Sequence, residues 1–299
     1  MNKIKFKKID AFTDGTSGGN PAAGLYPVSP LTDIEMQRIA FELSGFVSEA
    51  VFILPPDAVD GTSNADDASH DHHLRYFSCE REVPFCGHGT IAVMYDMLAH
   101  AINPSPHVRI KTMKGILTVE NRIADENAVY ITAPQPVYFD DTFNKTELAR
   151  AMNLLSSQIS EHNPITMVNA GQNILIIPLN ALDDVITAKP DYKTIREYCL
   201  AHNAEGVVIW TPDTASKQNR FRTRVFAPTF GYLEDPATGS GNSALAYHLN
   251  KTGIWDGSPF SIEQGTDRDN PNIIKVRREN DRVCFGGCAS VKIEGNYFL

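Results

Sequence analysis

Apolar and polar positions along the chain switch between a two-residue and a helical rhythm. Residues 4–11 alternate around Ile4, Phe6 and Ile9, which predicts a strand, and the stretch from Gly15 to Asn20-Pro21 predicts a loop. Thr32-Asp33-Ile34-Glu35 has the form of a capping box, so a helix is expected from there to Gly45, a good left-handed stop. Val47–Leu54 predicts the next strand, with Glu49 set among apolar neighbours. Residues 55–73 are rich in Asp, Ser, Asn, Ala and His and read as an exposed loop. Leu74–Phe77 resumes a strand, Pro84–Gly89 reads as a turn, and Thr90–His100 is apolar enough for a buried helix. Short strands are expected at Val108–Lys111, Ile116–Val119 and Val129–Ile131. In the second half, helices are expected at Thr146–Leu154, Asp191–His202 and Asn242–Asn250, the last after a turn at Pro236–Gly241. Ile174–Ile177, Val207–Trp210 and Thr223–Phe226 predict strands. Strands and helices mix without strict alternation, which points to an α+β fold.

One segment is close to repeated. Glu82-Val83-Pro84-Phe85-Cys86-Gly87-His88-Gly89-Thr90-Ile91-Ala92 aligns with Glu234-Asp235-Pro236-Ala237-Thr238-Gly239-Ser240-Gly241-Asn242-Ser243-Ala244 at a constant offset of 152, with five of eleven positions identical. Each copy follows an Arg-x-Phe strand, Arg75-Tyr76-Phe77 and Arg224-Val225-Phe226, at an offset of 149. Two similar halves of about 150 residues are the natural reading. A Gly-x-Gly opening a helix leaves unobstructed backbone amides at the positive end of the helix dipole, where an anion is favoured. Two such turns facing each other across a cleft would hold a carboxylate between two helix tips.

Composition narrows the partners. The 299 residues carry a formal net charge of −9, which argues against a nucleic-acid or anionic-membrane surface. No apolar run approaches the roughly 20 residues that span a bilayer, and the N-terminus lacks the apolar stretch of a secretory signal. The five cysteines, sparse and odd in number, fit reduced thiols in a cytoplasm. His70, His72, His73 and Cys79 match no standard zinc spacing, so no metal is expected. Neither Gly-x-Gly is completed as a dinucleotide fingerprint, and no Walker motif is present.

Several motifs resemble the PhzF-like branch of the diaminopimelate-epimerase-like superfamily. They are Asp10-Ala11-Phe12-Thr13 with Gly19-Asn20-Pro21-Ala22-Ala23, Ser48-Glu49-Ala50-Val51-Phe52, the two Arg-x-Phe strands with their glycine turns, and Phe226-Ala227-Pro228 with Gly231-Tyr232-Leu233-Glu234-Asp235-Pro236-Ala237-Thr238-Gly239-Ser240. They come in family order and span nearly the whole chain. The resemblance implies two similar domains, each a twisted sheet around a central helix, here expected at 1–125 and 126–299 with the last strand able to cross back. It implies a site in the cleft between them, no cofactor, a small carboxylate-bearing substrate and a homodimer.

In the family's isomerase a Glu moves a proton from one carbon of a cyclohexadiene ring to another. Carried over, that Glu is Glu49, supported by His88, Asp235 and Ser240, with Asn20, Cys86, Gly87, Gly89, Thr238, Gly239 and Gly241 expected to contact substrate. Partial burial of Glu49 would fit it for shuttling protons. Plainer roles stay open: Glu49 as a solvent-facing strand end, His88 and Ser240 as helix-start residues, Asp235 and Asn20 as turn formers, Cys86 as a small buried hydrophobe. Related racemases place a Cys before each Gly-x-Gly, whereas here the second position is Thr238. That departure speaks against two-base racemisation but leaves a Cys86-dependent epimerase or dehydratase as the alternative, and a ligand-binding protein without chemistry as a third reading.

Overall fold

The computed structural model describes residues 3–54 and 70–299. Most of the predicted loop at 55–73 therefore lies outside the described residues, and its end, from His72, already belongs to a strand. The chain forms two compact units, Met1–Thr132 with Gly286–Leu299, and Ala133–Phe285.

In the first unit, β1 (Lys3–Ala11) pairs antiparallel with β2 (Asn20–Tyr26). The helix α1 (Asp33–Glu42) starts on the predicted capping box: Thr32 accepts from the Glu35 amide, and Glu35 reaches back to the Thr32 amide. It ends a turn earlier than expected, and Gly45 takes the left-handed conformation just beyond, at φ +82°. Next, β3 (Glu49–Leu54) runs parallel to β2, and β4 (His72–Phe77) returns antiparallel to β3. The short β5 (Glu82–Val83) pairs with the end of β4 and leads into α2 (Gly87–Ala99). The meander β6 (His107–Thr112), β7 (Gly115–Arg122) and, after the short α3 (Ile123–Glu126), β8 (Ala128–Thr132) completes this part. The strands wrap α2, which packs on β1, β2, β3 and β8. Ile91, Ala92, Val93 and Met94 of α2 are fully buried, as expected of a helix apolar on all sides.

The second unit begins with β9 (Val137–Tyr138) and α4 (Lys145–Ala151). From β10 (Thr166–Asn169) onward it repeats the first. β10 is antiparallel to β11 (Asn173–Pro178). The chain then passes through α5 (Leu182–Thr187) and α6 (Tyr192–Ala201) to β12 (Gly206–Thr211), which is parallel to β11. β13 (Phe221–Phe226) is antiparallel to β12, and the short β14 (Glu234–Asp235) pairs with the end of β13. The central helix α7 (Gly239–Lys251) follows, then β15 (Phe260–Gln264), β16 (Asn272–Glu279) and β17 (Arg282–Gly287). Just as β6 runs parallel to β4, β15 runs parallel to β13. The last strand, β18 (Ala289–Phe298), pairs antiparallel with β1.

The duplication reaches side-chain detail. Arg75 forks onto Glu82 at 2.6 and 2.7 Å and lies over the Phe77 ring. Arg224 forks onto Glu234 at 2.8 Å and lies over the Phe226 ring. In each half this bidentate pair ties the Arg-x-Phe strand to the short strand before the glycine turn, and so aims that turn.

Candidate active site

Glu49 is the first residue of β3, registered against Ala22 of β2. Cys86 sits at the N-cap of α2, and His88 lies in the helix's first turn. Pro84–Gly89, expected as a turn before the helix, already contains the start of α2 at Gly87. Two contacts offset the poor helix propensity of Gly87 and Gly89. The Cys86 sulfur accepts the Gly89 amide at 3.3 Å, and Thr90 Oγ1 donates to the Cys86 carbonyl at 2.7 Å while bonding the Tyr76 hydroxyl. Gly89 is required by close approach: a Cβ there would come within 2.8 Å of Val51 and 3.0 Å of the Cys86 sulfur.

These elements bring three side chains together. Glu49 Oε2 is 3.2 Å from His88 Nε2, and Cys86 Sγ is 3.5 Å from His88 Nδ1 and 3.7 Å from Nε2. The side chains of His88 and Glu49 are only 11% and 16% exposed, so Glu49 is not a solvent-facing strand end. Burial is the main influence on Cys86 and pushes its thiol up, with Glu49 adding to it against the opposing pull of His88. For His88, burial works against a charged ring, but Cys86 and then Glu49 outweigh it and hold the imidazole well above its usual range. The cluster is a chain of proton donors and acceptors beside a helix N-terminus, the arrangement that general acid-base catalysis requires.

The second unit holds the other expected residues in a different pattern. Thr238 takes the position of Cys86 but does not cap its helix. Its hydroxyl donates instead to Asp235 Oδ2 at 2.5 Å. Gln264, fully buried, fastens this turn: its carbonyl oxygen accepts the Thr238 amide at 3.0 Å and the Asn242 side chain at 2.7 Å, and its amide donates to the Asp235 carbonyl at 2.7 Å. Ser240 donates to Gln172 at 3.0 Å. Neither Gln264 nor Gln172 stood out in the sequence. The only signal was the repeat offset, which pairs Gln172 with Asn20. Asn20, expected in a turn, is instead the fully buried first residue of β2. Its backbone is drawn into the strand by pairing with Ala11.

Strand registers give Glu49 a counterpart. Ala22 pairs with Glu49 at the start of the first parallel pair, and Ile174 pairs with Gly206 at the start of the second. Glycine, threonine and serine (Gly206, Thr238, Ser240) therefore stand where Glu49, Cys86 and His88 stand in the first half. At these three positions carboxylate, thiol and imidazole belong to the first half alone.

The profile of the phenazine biosynthesis-like protein family matches residues 9–295. An uncharacterised isomerase of Clostridium acetobutylicum is 29% identical over 99% of this chain and 96% of its own length. The trans-2,3-dihydro-3-hydroxyanthranilate isomerase of Pseudomonas fluorescens is 28% identical over 91% of this chain and 89% of its own. Among solved structures, a Bacillus anthracis protein of the PhzF family superposes with a TM-score of 0.85 at 24% identity, each chain covered completely. A hydroxyproline epimerase of Agrobacterium vitis gives 0.58 at 12% identity, over 99% of this chain and 91% of its own. At these identities the two structures speak for a shared fold. No described helix is long and apolar enough to cross a membrane.

Proposed function

The chain belongs to the phenazine biosynthesis-like protein family, and on that premise we propose that it is a cofactor-independent isomerase in which Glu49 moves a proton between carbons of a small carboxylate-bearing substrate. The observation that carries the reading is the packing of Glu49 against His88 at 3.2 Å, beside the start of α2, with no second carboxylate at the corresponding position, Gly206.

The Gly89 amide is taken by the Cys86 sulfur, but the Gly87 and His88 amides have no partners within the helix and lie at its positive end, so a substrate carboxylate placed there is stabilised. That placement presents the neighbouring carbon to the Glu49 carboxylate. Glu49 removes a proton and holds it, and the negative charge left on the substrate is met by the same amides and by His88. Glu49 then returns the proton to a different carbon. With one carrier, removal and return use the same face of the substrate. In the second unit, Asp235, Ser240 and the first-turn amides of α7 around Gly239 and Gly241, which the Thr238 side chain leaves uncapped, are the further substrate contacts of this reading.

The contact between Cys86 and His88 favours one second reading, an epimerase or dehydratase in which the thiol carries the proton. A single assay separates the two. The first substrate to try is trans-2,3-dihydro-3-hydroxyanthranilate, followed by related unsaturated acids. Glu49→Gln is expected to slow turnover by about 10²- to 10⁴-fold, the usual range for a general acid-base, with the circular dichroism unchanged. Cys86→Ser should keep most activity. Full turnover in Glu49→Gln with loss in Cys86→Ser would replace the carboxylate scheme by the thiol scheme.

A further inference from the structure

We propose that Glu49, Cys86 and His88 form a three-ligand site for a thiophilic divalent cation, zinc above all, and that its occupation switches off proton transfer. The ligand atoms of these residues all lie within 4.8 Å of one another. A tetrahedral zinc ion with bonds of about 2.0 Å to nitrogen and oxygen and 2.3 Å to sulfur sets its ligand atoms roughly 3.3 to 3.5 Å apart. The cluster shows 3.2 Å between Glu49 Oε2 and His88 Nε2, and 3.5 to 3.7 Å between Cys86 Sγ and the His88 ring nitrogens. Side-chain rotations that also close the Glu49–Cys86 separation, at most 4.8 Å, place all three on one ion.

A second observation points to a cation. Among the described residues, Glu49 Oε2 is buried with no hydrogen-bond donor aligned on it, although His88 is near. A buried carboxylate oxygen calls for positive charge, which the His88 imidazolium supplies in the metal-free cluster and a bound cation would take over. The charges also balance. Zinc displaces the thiol proton of Cys86 and the ring proton of His88 to solvent, and the thiolate and the Glu49 carboxylate then neutralise the ion. The thiolate keeps its hydrogen bond from the Gly89 amide. The positive end of α2 opposes the cation, but this surface-scale effect is small beside a thiolate–zinc bond. Three protein ligands leave a fourth position open, as in exchangeable rather than closed structural sites.

Metal binding does not depend on the proposed isomerase activity. Only the inhibitory consequence rests on that reading, because the ion ties up the oxygen that would carry the proton. Cobalt(II) titrated into the chelator-treated full chain should give a thiolate-to-cobalt charge-transfer band that saturates at one equivalent and disappears on adding one equivalent of zinc. The band should persist in Cys79→Ser and in His72→Ala, which excludes the exposed thiol and the nearby histidines. It should vanish in Cys86→Ser, and the cobalt affinity should fall at least tenfold in Glu49→Gln. X-ray absorption at the zinc edge of the one-to-one wild-type complex, which needs no variant, should show one sulfur among nitrogen and oxygen ligands. Zinc should abolish turnover and a chelator should restore it.

Absence of the band in folded wild-type protein, its survival in Cys86→Ser, or a zinc shell without sulfur would overturn the site. Zinc binding with unchanged turnover would overturn the switch. Full activity in Glu49→Gln with the band intact in wild type would remove the proton-carrier reading and leave the metal site standing.

Discussion

Single buried charges in this fold are held by several partners at once, and their removal shows what each holds. Arg222 and Glu263 are both fully buried and 3.1 Å apart. Arg222 also donates to the carbonyls of Gly265 and Asp267, while Glu263 accepts the amides of Ala215 and Ser216 and the Asn219 side chain. Glu263 is the neighbour of Gln264, which clasps the start of α7. Arg222→Met leaves a carboxylate buried without its cation and is expected to cost about 3 to 5 kcal/mol, read as a lower urea midpoint. Glu49 offers the contrast. Its apolar setting was plain in the sequence, but its partner was not, because residues 49 and 88 meet only once β3 and α2 are packed. The pairing of Cys86 with His88 could have been guessed from their spacing, though a thiol and an imidazole two residues apart usually point apart unless a helix start turns them together.

Elements were legible where local chemistry and pattern agreed. The capping box at Thr32 and Glu35 opened the expected helix, and strands β1, β3, β4, β12 and β13 lie close to where they were expected. Disagreement came where tertiary packing overrode propensity. β2 begins on Asn20-Pro21, a turn-like pair that strand pairing on β1 captures. Both central helices start on glycines, which sequence logic assigns to the turn before the helix. Gly239 is demanded by contact. A Cβ on Gly239 would lie 2.2 Å from the Phe285 ring. Gly239→Ala is therefore expected to destabilise by about 1 to 3 kcal/mol through overpacking, measurable as a shift of the denaturation midpoint. A variant as stable as the parent would show that Phe285 yields freely.

At the scale of the whole molecule, the duplication was visible in five identities at one offset, and the strand topology extends it to almost every element. The asymmetry of chemistry was visible in part, in Cys86 and His88 against Thr238 and Ser240, but the counterpart of Glu49 was not. The connection between the second and third strands differs in length between the halves, so the counterpart of Glu49 lies at an offset of 157 rather than 152 and no alignment by eye finds Gly206. Global stability should also carry a signature of the second helix. His248, inside α7, is held down to about 4 by burial and then by Lys251, from an ordinary value of 6.5. Above pH 6.5 both folded and unfolded chains keep it neutral, and its full contribution is present. As pH falls from 6.5 to 4, the unfolded chain takes up a proton that the folded chain refuses, so stability declines, by up to about 3 kcal/mol. Urea midpoints measured across that window should fall more steeply for the parent than for His248→Gln; parallel curves would contradict the assignment.

The most direct test of the proton-carrier role follows hydrogen itself. In deuterium oxide, where the proton held on Glu49 exchanges with solvent between removal and return, wild-type enzyme turning over the assay's unsaturated acid should place deuterium on one face of one carbon, seen by proton nuclear magnetic resonance, and Glu49→Gln should incorporate it at least a hundredfold more slowly. Incorporation by Glu49→Gln at the wild-type rate, or on both faces of the carbon, would show that another group moves the proton.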